Sequence, residues 1–204
     1  MRLNYLKQII REEIINTIPE LFDTQKPNTT ANDLGFGLDA ETFKLPDTNG
    51  NINEYAVAFI KKSLKELWPN ILNNPKYNDL YAYEAAFAVK IHGTQYYTPE
   101  LVGNSQPFKI FTMVYKILDD KMKKNKSAVG FMFSLAKLAN YKSREKLYIS
   151  FAKLISQKTN YMFIDTITMP EPRINCDVLG YKFLHKDFYE QLKNDGIILK
   201  IINI

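Results

Sequence analysis

The chain has 204 residues and a mass of 23.7 kDa, which leaves room for one ordinary domain with an appendage and excludes two full catalytic domains. Its 46% hydrophobic and 24% charged residues fit a packed globular protein and exclude a disordered or fibrous one. The net charge of +5 argues only weakly for nucleic acid, because just four of the 27 basic residues are arginines (Arg2, Arg11, Arg144 and Arg173), and arginine is the residue that grips phosphate and guanine with two parallel hydrogen bonds.

Leu3, Leu6, Ile10, Ile14 and Ile18 recur at helical spacing, with Lys7, Arg11, Glu12 and Glu13 on the polar side, so residues 2–18 are predicted to form an amphipathic helix. Pro19 and the Thr, Gln, Pro, Asn and Asp residues of 24–33 supply helix breakers and few core side chains, which reads as a linker. The expected division is a helix over 1–22, a linker over 23–38 and a domain over 39–204. On a linker, the Leu3, Leu6, Ile10 and Ile14 stripe either folds back onto the domain or docks on another protein subunit. No run reaches the 18 or more apolar residues that read as a membrane span, and the N-terminus has no apolar core followed by a small-residue cleavage site. A lone cysteine, Cys176, excludes an internal disulfide and a cysteine-pair zinc site. Both observations predict a reducing compartment.

Residues 41–45 are predicted to form a short strand, and Asn49-Gly50 a turn. Val57, Ile60, Leu64, Leu67 and Trp68 fall on one helical face up to Pro69, which predicts a second helix. The aromatic and alanine-rich residues 81–91, the break at Gly93 and residues 95–102 read as a pair of strands. Phe108, Phe111, Tyr115, Leu118 and Met122 follow Pro107 at spacings of three and four, the clearest helix of the chain, and its basic end at 121–126 complements the helix dipole. Residues 128–135 form a short apolar run between helices, the pattern of a strand buried on both faces, and imply a parallel crossover. Ser143 is placed to cap a further helix through Leu147, Phe151, Leu154 and Ile155. Residues 161–168 then read as a strand ended by Pro170 and Pro172. Residues 177–184 form another, 186–194 a short helix, and 197–204 a final strand after Gly196. The fold class is therefore α/β of the α+β kind, a mixed central sheet flanked by helices, with a helix-strand extension from about residue 185.

Chemistry-bearing motifs are sparse. His92 and His185 are isolated and have no carboxylate or cysteine companions at metal-ligand spacing, so no metal is expected. The glycine spacings of a nucleophile elbow, a P-loop or a dinucleotide fingerprint do not occur. One arrangement stands out: a strand, the loop Val102, Gly103, Asn104, Ser105 and Gln106, and a long helix whose backbone N–H groups can face a phosphate.

From about residue 53 to 184 the order helix, strand, strand, helix, strand, helix, strand, strand resembles the GNAT acyltransferase fold. QPFKIFTMVYKIL at 106–118 is similar to the helix that follows that family's acyl-CoA pyrophosphate loop, and SREKLYISFAKL at 143–154 to its late helix. With the strand GFMFSLAK between them, the pair most resembles small GNAT-like proteins of tailed bacteriophages. MRLNYLKQIIREEI is similar to the N-terminal helices of phage-encoded proteins, virion components among them.

The resemblance implies that Tyr148 occupies the place of the tyrosine that protonates the departing CoA thiolate, and that Glu84, on the strand before the splayed pair, is the candidate base for the acceptor amine. It also implies that Val102, Gly103, Asn104, Ser105 and Gln106 would meet acetyl-CoA. The chain departs from the family's Q/R-x-x-G-x-G/A loop, because VGNSQPFKIF holds a single glycine and the pyrophosphate needs close backbone approach. Asn140, eight residues before Tyr148, is also out of register with the family's asparagine.

The expected function is thus a non-catalytic GNAT-like binding or assembly protein of a tailed phage, a virion component anchored through its N-terminal helix. It would need no cofactor, would bind a protein subunit or itself, and would act in the infected bacterial cytoplasm or the virion, without membrane or nucleic-acid contact. The alternatives are an acyl-CoA-dependent N-acyltransferase using acetyl-CoA and a nucleic-acid-binding accessory protein.

Overall fold

A computed structural model describes residues 30–31, 39–71, 74–94, 97–98, 107–137, 141–171 and 176–202. The predicted helix at 2–18 with its Leu3, Leu6, Ile10 and Ile14 stripe, most of the 24–33 linker and the 102–106 loop lie outside the described residues.

Among the described residues, eight strands form one sheet: β1 (Thr30–Ala31), β2 (Asp39–Pro46), β3 (Ile52–Ser63), β4 (Tyr81–Lys90), β5 (Tyr97–Thr98), β6 (Ala128–Ala136), β7 (Tyr161–Glu171) and β8 (Cys176–His185). Their order is β1-β2-β3-β4-β6-β8-β7, with β5 beside β4. Every pairing is antiparallel except that of β4 with β6. The helices are α1 (Leu64–Leu67), α2 (Pro107–Lys124), α3 (Tyr141–Lys158) and α4 (Lys186–Asn194). Helix α2 makes the expected parallel crossover from β4 to β6. Helix α3 leads from β6 past one strand position to β7, and β8 returns into the gap.

The predicted helix through Val57 to Trp68 is instead mostly strand. Residues 52–63 pair from Ile52 to Phe59 with β2 on one side, and from Tyr55 to Ser63 with β4 on the other. Tyr55, Val57 and Phe59 enter the core from one face while Ala56 and Ala58 are buried on the other. A two-residue alternation buried on both faces mimicked a helical stripe, and the aromatic and β-branched content suited the sheet. The helix starts only at Leu64, where the Ser63 hydroxyl accepts from the Glu66 N–H at 3.2 Å and donates to the Glu66 carboxylate at 2.9 Å, a reciprocal cap.

Three smaller expectations also change. Strand β7 runs through Pro170 to Glu171, with Pro170 opposite Asp177, because an edge strand tolerates a missing N–H. Helix α3 begins at Tyr141, ahead of Ser143. Residues 197–202 form no strand; the Ile202 N–H donates to the Ile164 carbonyl at 2.8 Å, and the turn at Gly196 (φ +77°) is made as expected.

Two apolar layers sandwich the sheet. On one face α2 and α3 cover Tyr55, Val57, Phe59, Tyr83, Phe131, Phe133, Tyr181 and Phe183, with Ile110, Phe111, Val114, Leu118, Phe151 and Ile155 facing them. On the other, α1, α4 and the turns after α1 bring Leu67, Trp68, Ile71, Tyr77, Phe188 and Leu192 onto Ala82, Met132, Ile164 and Leu184. Burying each large apolar side chain contributes roughly 1.5–3 kcal/mol. Gly130 and Gly180 lie under the second layer; a Cβ on Gly130 would sit 2.5 Å from the Phe183 carbonyl oxygen and 3.3 Å from Trp68 Cη2.

Candidate functional site

The only parallel pair of the described sheet stays together for half its length. The β4–β6 register runs from Tyr81 opposite Ala128 to Ala85 opposite Phe133 and ends there. Beyond it β4 continues on β3 to Val89, with β5 taking its other side at Val89 and Lys90, and β6 continues to Ala136 on β8. The sheet therefore opens between these strands at their C-terminal ends, the end from which crossover helices start and where open α/β sheets hold ligands.

Two residues singled out in the sequence meet this opening from opposite faces. Glu84 lies on β4 itself, one of the two parting strands, rather than on a strand before them. It is buried; Ser134 Oγ donates to its Oε1 at 2.5 Å across the opening, and Lys62 Nζ stands 3.5 Å from Oε2. A buried carboxylate needs such partners, since an unpaired one would be costly.

Tyr148, on α3, reaches the opening from the helix-covered face. Its ring lies 4.7 Å from that of Phe111, edge to face, 6.5 Å from Phe87 just past the point of parting, and 5.3 Å from Tyr181. It is 5% exposed. Burial raises its phenol above the ordinary value, with Arg144 opposing and Tyr181 adding to the shift. The neighbouring Tyr181 hydroxyl is buried without a hydrogen-bond partner, and burial first, then Glu145, raises its phenol as well.

The rim of the opening on the β4 side is a charged cluster. Glu54 accepts from Tyr97 at 2.7 Å and from Lys90 at 3.2 Å, with Lys44 at 3.8 Å. The Tyr97 hydrogen bond, ahead of the two lysines, holds Glu54 below the usual carboxylate range against the opposing effect of its burial. Burial and the same hydrogen bond push Tyr97 up to about 12. Across the opening, Lys137 donates to Thr168 at 3.1 Å.

The sequence picked out Glu84 and Tyr148 but neither Ser134 and Lys62, which hold Glu84, nor the Glu54 cluster. Residues 132 and 134 share a face with 82 and 84 once the register is known, and only pairing fixes that register. Val102, Gly103, Asn104, Ser105 and Gln106 lie outside the described residues. Pro107 opens α2, so one N–H is missing from the helix end that would face a phosphate. His92 is exposed, and His185 caps α4 by accepting from the Asp187 N–H at 3.3 Å. Among the described residues no group of three or more histidine, cysteine or carboxylate side chains is placed to hold a metal, and no helix is long and apolar enough to cross a membrane.

Comparison with protein-family models, with curated proteins and with solved structures gives no match.

Proposed function

We propose that the chain is a GNAT-like protein of a tailed bacteriophage that acts as a binding or assembly module, in the infected cell or the virion, rather than as an acyltransferase. The parting of β4 from β6 after Ala85 and Phe133, followed by helix, strand, helix and an antiparallel strand pair, supports the GNAT-like reading. The observation that carries the non-catalytic reading is the commitment of both candidate catalytic side chains to internal partners. Tyr148 is enclosed by Phe87, Phe111 and Tyr181 with its phenol raised by burial. That makes it a poor donor to a thiolate, since proton transfer works best when the donor's pKa lies near the working pH. Glu84 is tied to Ser134 and Lys62. The single glycine of VGNSQPFKIF and Pro107 at the head of α2 weaken a backbone cradle for pyrophosphate in the same direction.

In this reading the Leu3, Leu6, Ile10 and Ile14 stripe docks the protein on another subunit or on its own copies. Sedimentation of the full chain beside a Leu6→Glu, Ile10→Glu variant tests it. Concentration-dependent association of the native chain that the variant loses is expected; identical monomers would contradict self-association through this stripe. A second reading, an acyl-CoA-dependent N-acyltransferase, is favoured by one observation: Glu84 and Tyr148 flank the same opening. It requires acetyl-CoA to bind there.

A further inference from the structure

The second apolar layer covers only part of its face of the sheet. It seats on Ala82, Met132, Ile164 and Leu184, which belong to β4, β6, β7 and β8. Toward the β2 edge the same face is a floor of small side chains fixed by strand register. Ala40 lies opposite Ala58 and Thr42 opposite Ala56, and these two β3 alanines lie opposite Ala86 and Ala88 of β4. Ala40, Ala56 and Ala58 are 2%, 1% and 9% exposed. They belong to neither apolar layer, although Ala82 and Ala85 on the neighbouring strand do. Side chains stand roughly perpendicular to a sheet, so flanking strands shield the sides of an alanine methyl but not its top. A floor closed to solvent needs a cover.

Two of the segments outside the described residues are directed elsewhere. Residues 32–38 join β1 to its antiparallel neighbour β2, and residues 99–106 lead from β5 to α2, on the opposite face. Residues 1–29 carry the Leu and Ile stripe at helical spacing, and their end is delivered to this floor, because Thr30 pairs with Thr42. From there residues 19–29 extend to roughly 35–40 Å. A helix over 2–18 is about 25 Å long, and a floor of three strands is about 10 Å wide, so the tether reaches every part of it. Leucine and isoleucine also complement alanine in volume, since large side chains on one surface fill the space that small ones leave on the other.

We propose that residues 2–18 of the same chain lie as a helix on this floor, with the Leu6 and Ile10 side of the stripe against Ala40, Ala56 and Ala58. Lys7 and Arg11 then face solvent. The contact does not rest on the function proposed above. It adds a condition to it, because a partner that takes the stripe has to draw it off this floor first.

A nitroxide on the polar side of the helix tests the contact without touching the stripe. Cys176 is the single cysteine, so a full-length Cys176→Ser, Lys7→Cys chain takes one spin label, and its alanine methyl groups are isotope-labelled. The Ala56 and Ala58 methyl resonances are expected to lose most of their intensity and to recover it when the nitroxide is reduced. Ala152, which packs in the aromatic layer on the far side of the sheet, keeps its intensity. A mixture of spin-labelled chain without isotope and isotope-labelled chain without spin label is expected to show no loss. Intact Ala56 and Ala58 signals in the doubly labelled chain overturn the proposal. Loss in the mixture overturns it too, and makes the helix of a second copy the occupant. Adding Leu6→Glu and Ile10→Glu is expected to abolish the effect, and broadening that survives in that folded variant excludes the stripe as the contact. Should the variant not fold, the first two samples decide.

Discussion

Ser134 hydrogen-bonds Glu84 at 2.5 Å where their two parallel strands part. The bond closes, on one face, a sheet that has lost its backbone pairing. It also satisfies a carboxylate that would otherwise be buried beside Lys62 alone. Replacing Ser134 with alanine is therefore expected to destabilise the fold by about 1–3 kcal/mol, the cost of a buried polar group losing its partner. Urea unfolding of the native protein and the variant measures it, and a change below the error of the midpoint would mean that water replaces the hydroxyl.

The rim cluster makes a pH-dependent prediction. Glu54 has its pKa lowered in the fold, first by the Tyr97 hydrogen bond and then by Lys90 and Lys44. A depressed carboxylate contributes stability that is fully present above its unfolded value, 4.5, and is lost as pH falls through the lower folded value. Tyr97→Phe is expected to cost about 1 kcal/mol at pH 7, with the difference from the native protein shrinking toward pH 3. Denaturant midpoints at the two pH values check this. A difference that grows in acid would show that the hydroxyl stabilises the protonated form.

The two sheet glycines are expected to respond unequally. A Cβ at Gly130 meets a backbone oxygen, Phe183 O at 2.5 Å, and Leu184 Cδ2 at 2.9 Å. A Cβ at Gly180 meets the flexible thioether of Met132, and Ile167 Cγ2 at 3.1 Å. Backbone cannot step aside whereas methionine can. Gly130→Ala should thus cost about 3 kcal/mol or more and Gly180→Ala about 1 kcal/mol. Equal thermal stabilities of the two variants would contradict the packing around Trp68.

Much of this architecture is legible in the sequence where one face is buried and polarity has a clear period. Phe111, Tyr115, Leu118 and Met122 mark α2, and Leu147, Phe151 and Ile155 mark α3, because their stripes face the sheet. The failure at Val57 to Trp68 has a physical source: a central strand buried on both faces has no polar side to reveal its period. Ser63 and Glu66 were the signal available there, since a Ser-x-x-Glu cap places a helix start at 64 and not earlier. Glu84 and Tyr148 were found through the resemblance. Their placement on opposite faces of one opening, and the bulge that sets Asp165 against Lys182, depend on strand register and lie beyond any local pattern.

Binding of acyl-CoA is where the account is most exposed. A ligand that binds only the native state raises its melting temperature, by an amount that grows with concentration. Thermal unfolding of the full chain is followed with acetyl-CoA, and with CoA, up to millimolar concentration. The account predicts no shift with either, because Tyr148 is enclosed, Glu84 is held by Ser134 and Lys62, and Pro107 heads α2. A saturable rise of several degrees would contradict it and establish the opening between β4 and β6 as the acyl-CoA site of a working transferase.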